Sequence, residues 1–278
     1  MTKTITVRGL RKAYAGRPAV DGLDLAIDSG EVFALLGPNG AGKTTTVEIL
    51  EGHRRRSGGE VSVLGEDPGT AGRRWRARIG IVAQSAHDLA DLTVAEAVRH
   101  FAACYPVSRP VAEVVDLVGL TEQTKSRVRT LSGGQRRRLD VAVGIIGRPE
   151  LLFLDEPTTG FDPEARRQFW NLIRLLSGEG TTILLTTHYL EEAEVLADRL
   201  AVIAAGRIVA EGTPGSIGGR GAQLATVTWT DGRGRHTEHT ADPVAFIAQR
   251  SAEGVLDDVT VSRPTLEDTY LSLIGEAR

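Results

Sequence analysis

The chain has 278 residues, a formal net charge of −3 and a single cysteine, so it is long enough for one large domain plus a smaller one around an ample core. That charge gives no general footprint for nucleic acid, and DNA and RNA are not expected partners. No apolar run approaches the ~20 residues of a membrane-spanning helix and the N-terminus lacks a signal peptide's apolar centre, so any membrane role is expected to come through a partner.

Thr4 to Leu10 alternates like a half-buried strand, and Leu23 to Asp28 repeats the pattern across a polar, Gly/Pro-containing stretch from Arg11 to Pro18. Tyr14, inside that stretch, either caps the core or stacks on a nucleobase. Val32 to Leu36 is an apolar run that leads into Gly37-Pro38-Asn39-Gly40-Ala41-Gly42-Lys43-Thr44-Thr45 and fits G-x-x-x-x-G-K-[ST]. Glycines at 37, 40 and 42 let backbone N–H groups turn inward toward a phosphate. The helix that starts near Gly42 adds its unpaired N–H groups and positive end. Lys43 can reach the β- and γ-phosphates, and the Thr44 hydroxyl can join the shell of a bridging Mg²⁺. A bare strand-to-helix turn would not need every position of this motif filled.

Glu60 to Leu64 reads as a short strand, Arg73 to Arg78 as a basic helix with a solvated face, and Ile79 to Ala83 as a strand ending in Gln84 before the polar loop Ser85 to Asp91. Thr93 and Glu96 have capping-box spacing and open a helix through Cys104, a small core residue of a reducing compartment. Val111 to Val118 is apolar at helical spacing, so residues 92 to 130 form a mainly helical insertion, about 92–147 with the helix after it. Leu131-Ser132-Gly133-Gly134-Gln135 interrupts the pattern. The next helix carries Arg136, Arg137 and Arg138 in its first turn, which opposes the macrodipole unless an anion or acidic partner lies close.

Leu151 to Leu154 has the continuous apolar character of a strand buried on both faces and ends in Asp155-Glu156. Asp162 caps a helix from Pro163 to Leu176, and the strand Thr182 to Thr186 ends beside His188. Such alternation predicts a parallel sheet wrapped by helices, with its chemistry at the carboxyl ends of the strands. After a helix from Glu191 to Ala197 and a hairpin of Leu200–Ala204 with Ile208–Ala210, Pro214 to Gly221 has a linker's composition. Strands at Leu224–Trp229 and Val255–Val261 and helices at Pro243–Arg250 and Thr265–Ile274 complete a small α+β appendage. His236-Thr237-Glu238-His239 follows two glycines and reads as a solvated hairpin rather than a Zn²⁺ site.

Two acids at a strand end are ordinarily a turn or an N-cap. Behind a phosphate loop on the same sheet, Asp155 suits support of Mg²⁺ and Glu156 suits a general base for in-line attack of water on the γ-phosphorus. The order of phosphate loop, Gln84, Leu131 to Gln135, Leu151 to Glu156, Gly160-Phe161-Asp162 and His188 resembles the full motif set of ATP-binding cassette (ABC) ATPases, over residues 4 to about 215.

The resemblance implies an α/β fold. Residues 1–215 would form a P-loop NTPase nucleotide-binding domain with a RecA-like parallel core, an antiparallel β subdomain and a helical subdomain, and residues 216–278 a C-terminal accessory domain. It also implies ATP and Mg²⁺ as cofactors, and a head-to-tail dimer with a second copy or a homologous cassette. Tyr14 would stack on adenine, residues 37–45 would hold phosphates, and Thr44, Gln84 and Asp155 would serve the metal. Glu156 would polarise water and His188 would contact the γ-phosphate. Leu131, Ser132, Gly133, Gly134 and Gln135 would bind the partner's ATP, with Ser132 and Gly134 clamping its γ-phosphate, and Asp162 would link the two sites. Phe161 stands where the family usually has leucine and is expected to be a packing variant.

Glu51 to Arg56, Leu131 to Asp140 and Pro264 to Asp268 resemble the ATPase subunits of bacterial ABC-2-type exporters, the daunorubicin-resistance-like group included. That implies a separate transmembrane permease, contacted by the helical insertion and the Gln84–Asp91 loop, and a place on the cytoplasmic face of the membrane. An importer ATPase is the near rival, and a soluble ABC protein acting on ribosomes or DNA the distant one.

Overall fold

The computed structural model describes residues 2–82, 89–222, 224–232, 234–254 and 256–276. It opens on an antiparallel hairpin of β1 (Lys3–Tyr14) and β2 (Arg17–Asp28). Both strands outrun the predicted alternation, because Ala15 and Gly16 alone make the turn, at φ of 47° and 81°. Positive φ at both positions is what a two-residue hairpin requires, so Arg11 to Pro18 is strand and turn rather than loop.

The chain continues through β3 (Val32–Leu36), α1 (Lys43–Leu50), β4 (Gly58–Val63), α2 (Arg73–Arg76) and β5 (Ile79–Val82). β4 pairs with β1 to complete the three-stranded sheet β2-β1-β4. Within the arginine-rich α2, Trp75 is the anchor: it is buried and donates Nε1–H to the Val63 carbonyl at 2.8 Å, while Arg73, Arg74 and Arg76 face solvent.

The helical block contains α3 (Val94–Ala102), α4 (Val111–Leu117) and α5 (Gly133–Ile145). Thr93 and Glu96 form the expected capping box, but α3 stops at Ala102, which leaves Cys104 exposed rather than in the core. Then come β6 (Leu151–Asp155), α6 (Pro163–Gly178), β7 (Thr182–Thr186), α7 (Leu190–Leu196), β8 (Arg199–Ala204) and β9 (Arg207–Gly212).

The six-stranded sheet has the order β5-β6-β7-β3-β8-β9, parallel up to β8 and antiparallel at β9. Side chains alternate between its faces. Val32, Ala34 and Leu36 join the core under the helices, while Phe33 and Leu35 join a second core under α1 and the antiparallel sheet. Burial on both faces is why these strands read as unbroken apolar runs.

The last part holds β10 (Ala225–Asp231), β11 (Gly234–Thr240), α8 (Pro243–Glu253), β12 (Asp257–Ser262) and α9 (Leu266–Glu276), with the strands in the order β11-β10-β12. An odd separation puts residues 236 and 239 on opposite faces of β11. His236 stacks on Trp229 and contacts Asp231 at 2.9 Å, while His239 contacts Thr226 at 3.1 Å.

The expected linker at Pro214–Gly221 is packed. Ile217 is buried in the same core as Leu266 of α9, and Arg220 reaches the Pro214 and Pro264 carbonyls at 2.9 Å each and Glu194 at 2.7 Å. Glycine-rich composition conceals these two anchors. Among the described residues, no helix is long and apolar enough to cross a membrane.

Candidate functional site

The parallel strands carry their chemistry at one edge, as the doubly wound pattern dictates. β3 delivers the phosphate loop, β6 ends at Asp155 with Glu156 next in the chain, and β7 leads to His188. In the loop, Gly37 lies so close to β8 that a Cβ there would sit 2.3 Å from the Ile203 carbonyl oxygen. Gly42 has φ of +110°, and a Cβ there would meet the Ala19 carbonyl oxygen at 2.5 Å. Both positions therefore admit only glycine. Pro38 and Asn39 lie on the outer rim, Ala41 is buried, and the exposed Thr44 presents its hydroxyl from the first turn of α1 beside Thr45.

Lys43 is buried and donates to the Gly37 and Pro38 carbonyls at 2.6 and 3.2 Å. Burial pushes its pKa down, opposed by the carboxylates of Glu156 and Asp155. Both carboxylates therefore lie within electrostatic reach of the phosphate-loop lysine.

Asp155 accepts a hydrogen bond from the Thr186 hydroxyl. Glu156 donates its backbone N–H to the Thr186 carbonyl at 3.0 Å and sits at φ of 47°, a left-handed conformation. Its carboxylate stands 3.4 Å from His188 Nδ1, with 19% and 47% of the two side chains exposed. The His188 ring leans on Tyr189, over which Arg166 lies.

Ser132 and Gln135 form a capping box in Leu131 to Gln135, the signature segment: the Ser132 N–H reaches Gln135 Oε1 at 2.9 Å, and the Gln135 N–H reaches Ser132 Oγ at 3.2 Å. Gly133, Gly134 and Gln135 are thus the first turn of α5, and the arginines begin one turn later than the sequence reading placed them. Leu131 is buried, whereas Ser132 and Gly133 are exposed. Arg137 turns inward onto backbone carbonyls, and Arg138 donates to the Gly119 carbonyl at 3.3 Å. Part of the compensation expected from a bound anion therefore comes from the chain's own carbonyls. A cleft of about 490 Å³ between α5 and the segment after β6 is lined by Gly133, Gly134, Arg136, Arg137, Asp140 and Glu156.

Asp162 caps α6 by accepting from the Ala165 N–H at 2.8 Å. Phe161 packs edge-on against Phe169, in keeping with a packing variant. Tyr14, 40% exposed at the end of β1, does not cap the core. Lys12 and Arg54 lie 5.1 and 5.3 Å from its ring centroid. Gln84 lies outside the described residues.

Sequence reasoning missed three buried groups. Arg137 was read with its neighbours as one basic turn. Glu192 is fully buried near Thr187, Thr158 and Trp170, and burial raises its pKa. Glu51 is raised to about 8, by burial first and then by Asp155 and Glu48. Helical period held the signal for Arg137, since Val141 and Gly144 place it on the apolar side of α5.

A loop that needs glycine at 37 and 42 at a helix start, a buried lysine and a strand-end carboxylate fixed by a threonine together suit a magnesium nucleotide. Magnesium binding needs only one or two protein oxygens when phosphates supply the rest. Fold and site define a P-loop nucleotide hydrolase. The family model for ABC transporter matches residues 20–159, and the chain belongs to that family: it is an ATP-binding ATPase.

The Daunorubicin/doxorubicin resistance ATP-binding protein DrrA of Streptomyces peucetius is 46% identical, over 78% of this chain and 67% of that protein. The Nod factor export ATP-binding protein I of Rhizobium leguminosarum bv. viciae is 38% identical, over 98% and 94%. A dimeric ATP-binding cassette solved in a post-hydrolysis state with ADP and Pi has a TM-score of 0.69 at 21% identity, over 75% of this chain and 98% of that one.

Proposed function

We propose that the chain is the motor subunit of a bacterial exporter, peripheral to the cytoplasmic face of the membrane and joined to a separate ABC-2-type permease. Its cargo would be a drug, antibiotic, lipid or similar hydrophobic molecule. Drug resistance and export are the roles named for the two relatives, and the likeness to the second runs over 98% of this chain. The dimeric state of the structural neighbour supports a pair of chains, and in the proposed pair they lie head to tail, each phosphate loop facing the other's Ser132 to Gln135.

Within one site, Tyr14 stacks on adenine, and residues 37–45 with Lys43 hold the phosphates. Bound Mg²⁺, held by Thr44 and Asp155 with Gln84, would neutralise charge on the β- and γ-phosphates. Glu156 accepts the proton of a water whose oxygen bonds to the γ-phosphorus as the bond to the β-phosphate oxygen breaks. His188, one imidazole nitrogen toward Glu156, offers the other to a γ-phosphate oxygen. Ser132 and Gly134 clamp the other chain's γ-phosphate, and Asp162 links the two sites. Residues 216–278 act in assembly with the permease.

The observation that carries the catalytic assignment is the Glu156–His188 pair, 3.4 Å apart at the strand edge beside Lys43. Glu156→Gln is expected to lower turnover on the order of 10²-fold or more, the scale of losing a general base, while ATP still binds and holds the dimer together. Normal ATP turnover by this variant would remove Glu156 from its role.

A further inference from the structure

Arg137 is a cation in an unusual place. It is only 8% exposed, and a buried charge is tolerated only where it is well paired or hydrogen-bonded. Its guanidinium meets that need on three consecutive backbone carbonyls of the catalytic loop. Nη2 donates to the Asp155 oxygen at 2.5 Å and the Glu156 oxygen at 3.3 Å, and Nε donates to the Pro157 oxygen at 3.1 Å. Carboxylates of Asp140, Asp155, Glu156 and Glu192 also lie within electrostatic reach. The planar fork of arginine suits such a span, whereas lysine offers one compact ammonium.

What is gripped is also strained. Glu156 occupies φ of 47°, a left-handed conformation that is unfavourable for a non-glycine residue and persists only where its surroundings over-determine it. On one side the Glu156 N–H is held by the Thr186 carbonyl. On the other, the carbonyls of residues 155 to 157 are held by Arg137. Together they fix the direction in which the Glu156 side chain leaves the backbone, and so the place of its carboxylate beside His188. Arg137 also lies on α5, two residues past Gln135 of the signature. The helix whose start faces one nucleotide thereby holds the backbone of the glutamate that serves the other.

We propose that Arg137 is a positioning residue for ATP hydrolysis, gripping the 155–157 backbone so that the Glu156 carboxylate is aimed at the attacking water. The inference rests on the assignment of Glu156 as general base. Its hallmark is a loss of kcat without a loss of nucleotide binding, because Arg137 acts through the backbone carbonyls of residues 155 to 157. Misplacing a catalytic group by about 1 Å costs on the order of 10²-fold.

The test is a double-mutant cycle on the full-length chain under conditions where ATP is turned over. Arg137→Met keeps the length of the side chain and removes its donors. It is expected to lower kcat by roughly 10- to 100-fold with KM for ATP within about twofold. Arg137→Lys keeps a buried cation that cannot span the carbonyls; folded by its melting curve, it is expected to give an intermediate kcat. In the Glu156→Gln background, Arg137→Met is expected to add no further loss, since its whole effect passes through Glu156. An unchanged kcat in either single variant overturns the proposal, as do equal losses of ATP binding and turnover or losses that multiply in the double variant. Normal turnover by Glu156→Gln alone would instead indict the general-base assignment.

Discussion

Glu51 follows the last turn of α1, only 8% exposed, with His53 Nδ1 3.3 Å from its carboxylate. Its pKa rises from 4.5 to about 8, through burial first and then the charges of Asp155 and Glu48. Between pH 4.5 and about 8 the folded chain keeps a proton that the unfolded chain has released, so this group's contribution to stability falls as pH rises through that window and levels off above it. Glu51→Gln keeps the neutral shape and removes the titration. Urea unfolding should find the variant and the parent nearly equal at pH 4.5 and the variant more stable by roughly a few kcal/mol at pH 8. A constant difference across the range would contradict the buried, protonated carboxyl. The local sequence does not show this burial, because Glu51 is followed by a glycine and four basic residues, His53 to Arg56. Its burial comes from the packing of α1, a property no short window contains.

Two helices begin with the same device, which makes their N-caps a controlled comparison. Thr93 opens α3 and Ser132 opens α5, each with a complete capping box. Replacing either by alanine is expected to cost about 1 kcal/mol of stability. If Ser132 also clamps a phosphate, only Ser132→Ala should lower ATP turnover, and Thr93→Ala should leave it near the parent's. Equal turnover in both would reduce Ser132 to a cap.

The first capping box was legible from its spacing. The second obeys the same rule but was hidden because the segment was read as a break before the helix rather than as its first turn. Strands buried on both faces, such as Leu151–Asp155 and Thr182–Thr186, announced themselves by composition. The polar ends of β1 and β2 did not, since their pairing depends on the two-residue turn at Ala15-Gly16. Helical period puts Arg137 on the apolar side of α5, but only the fold shows its guanidinium spanning the carbonyls of residues 155 to 157.

At the scale of the whole molecule, the proposed dimer assigns the phosphate loop and the signature turn to different nucleotides. In it, Gly37 to Thr45 would supply one wall of a site, and Ser132 to Gln135 of a second chain would supply the other. Each chain is then expected to bind ATP alone but to hydrolyse it only as a pair, with closure favoured by ATP and reset by hydrolysis. The direct measurement is the rate of phosphate release across a dilution series at saturating ATP, with dimerisation followed in parallel by light scattering. Shared sites predict a rate that rises with the square of chain concentration below the dimerisation range and becomes linear above it. A turnover per chain that stays constant far below that range would contradict them.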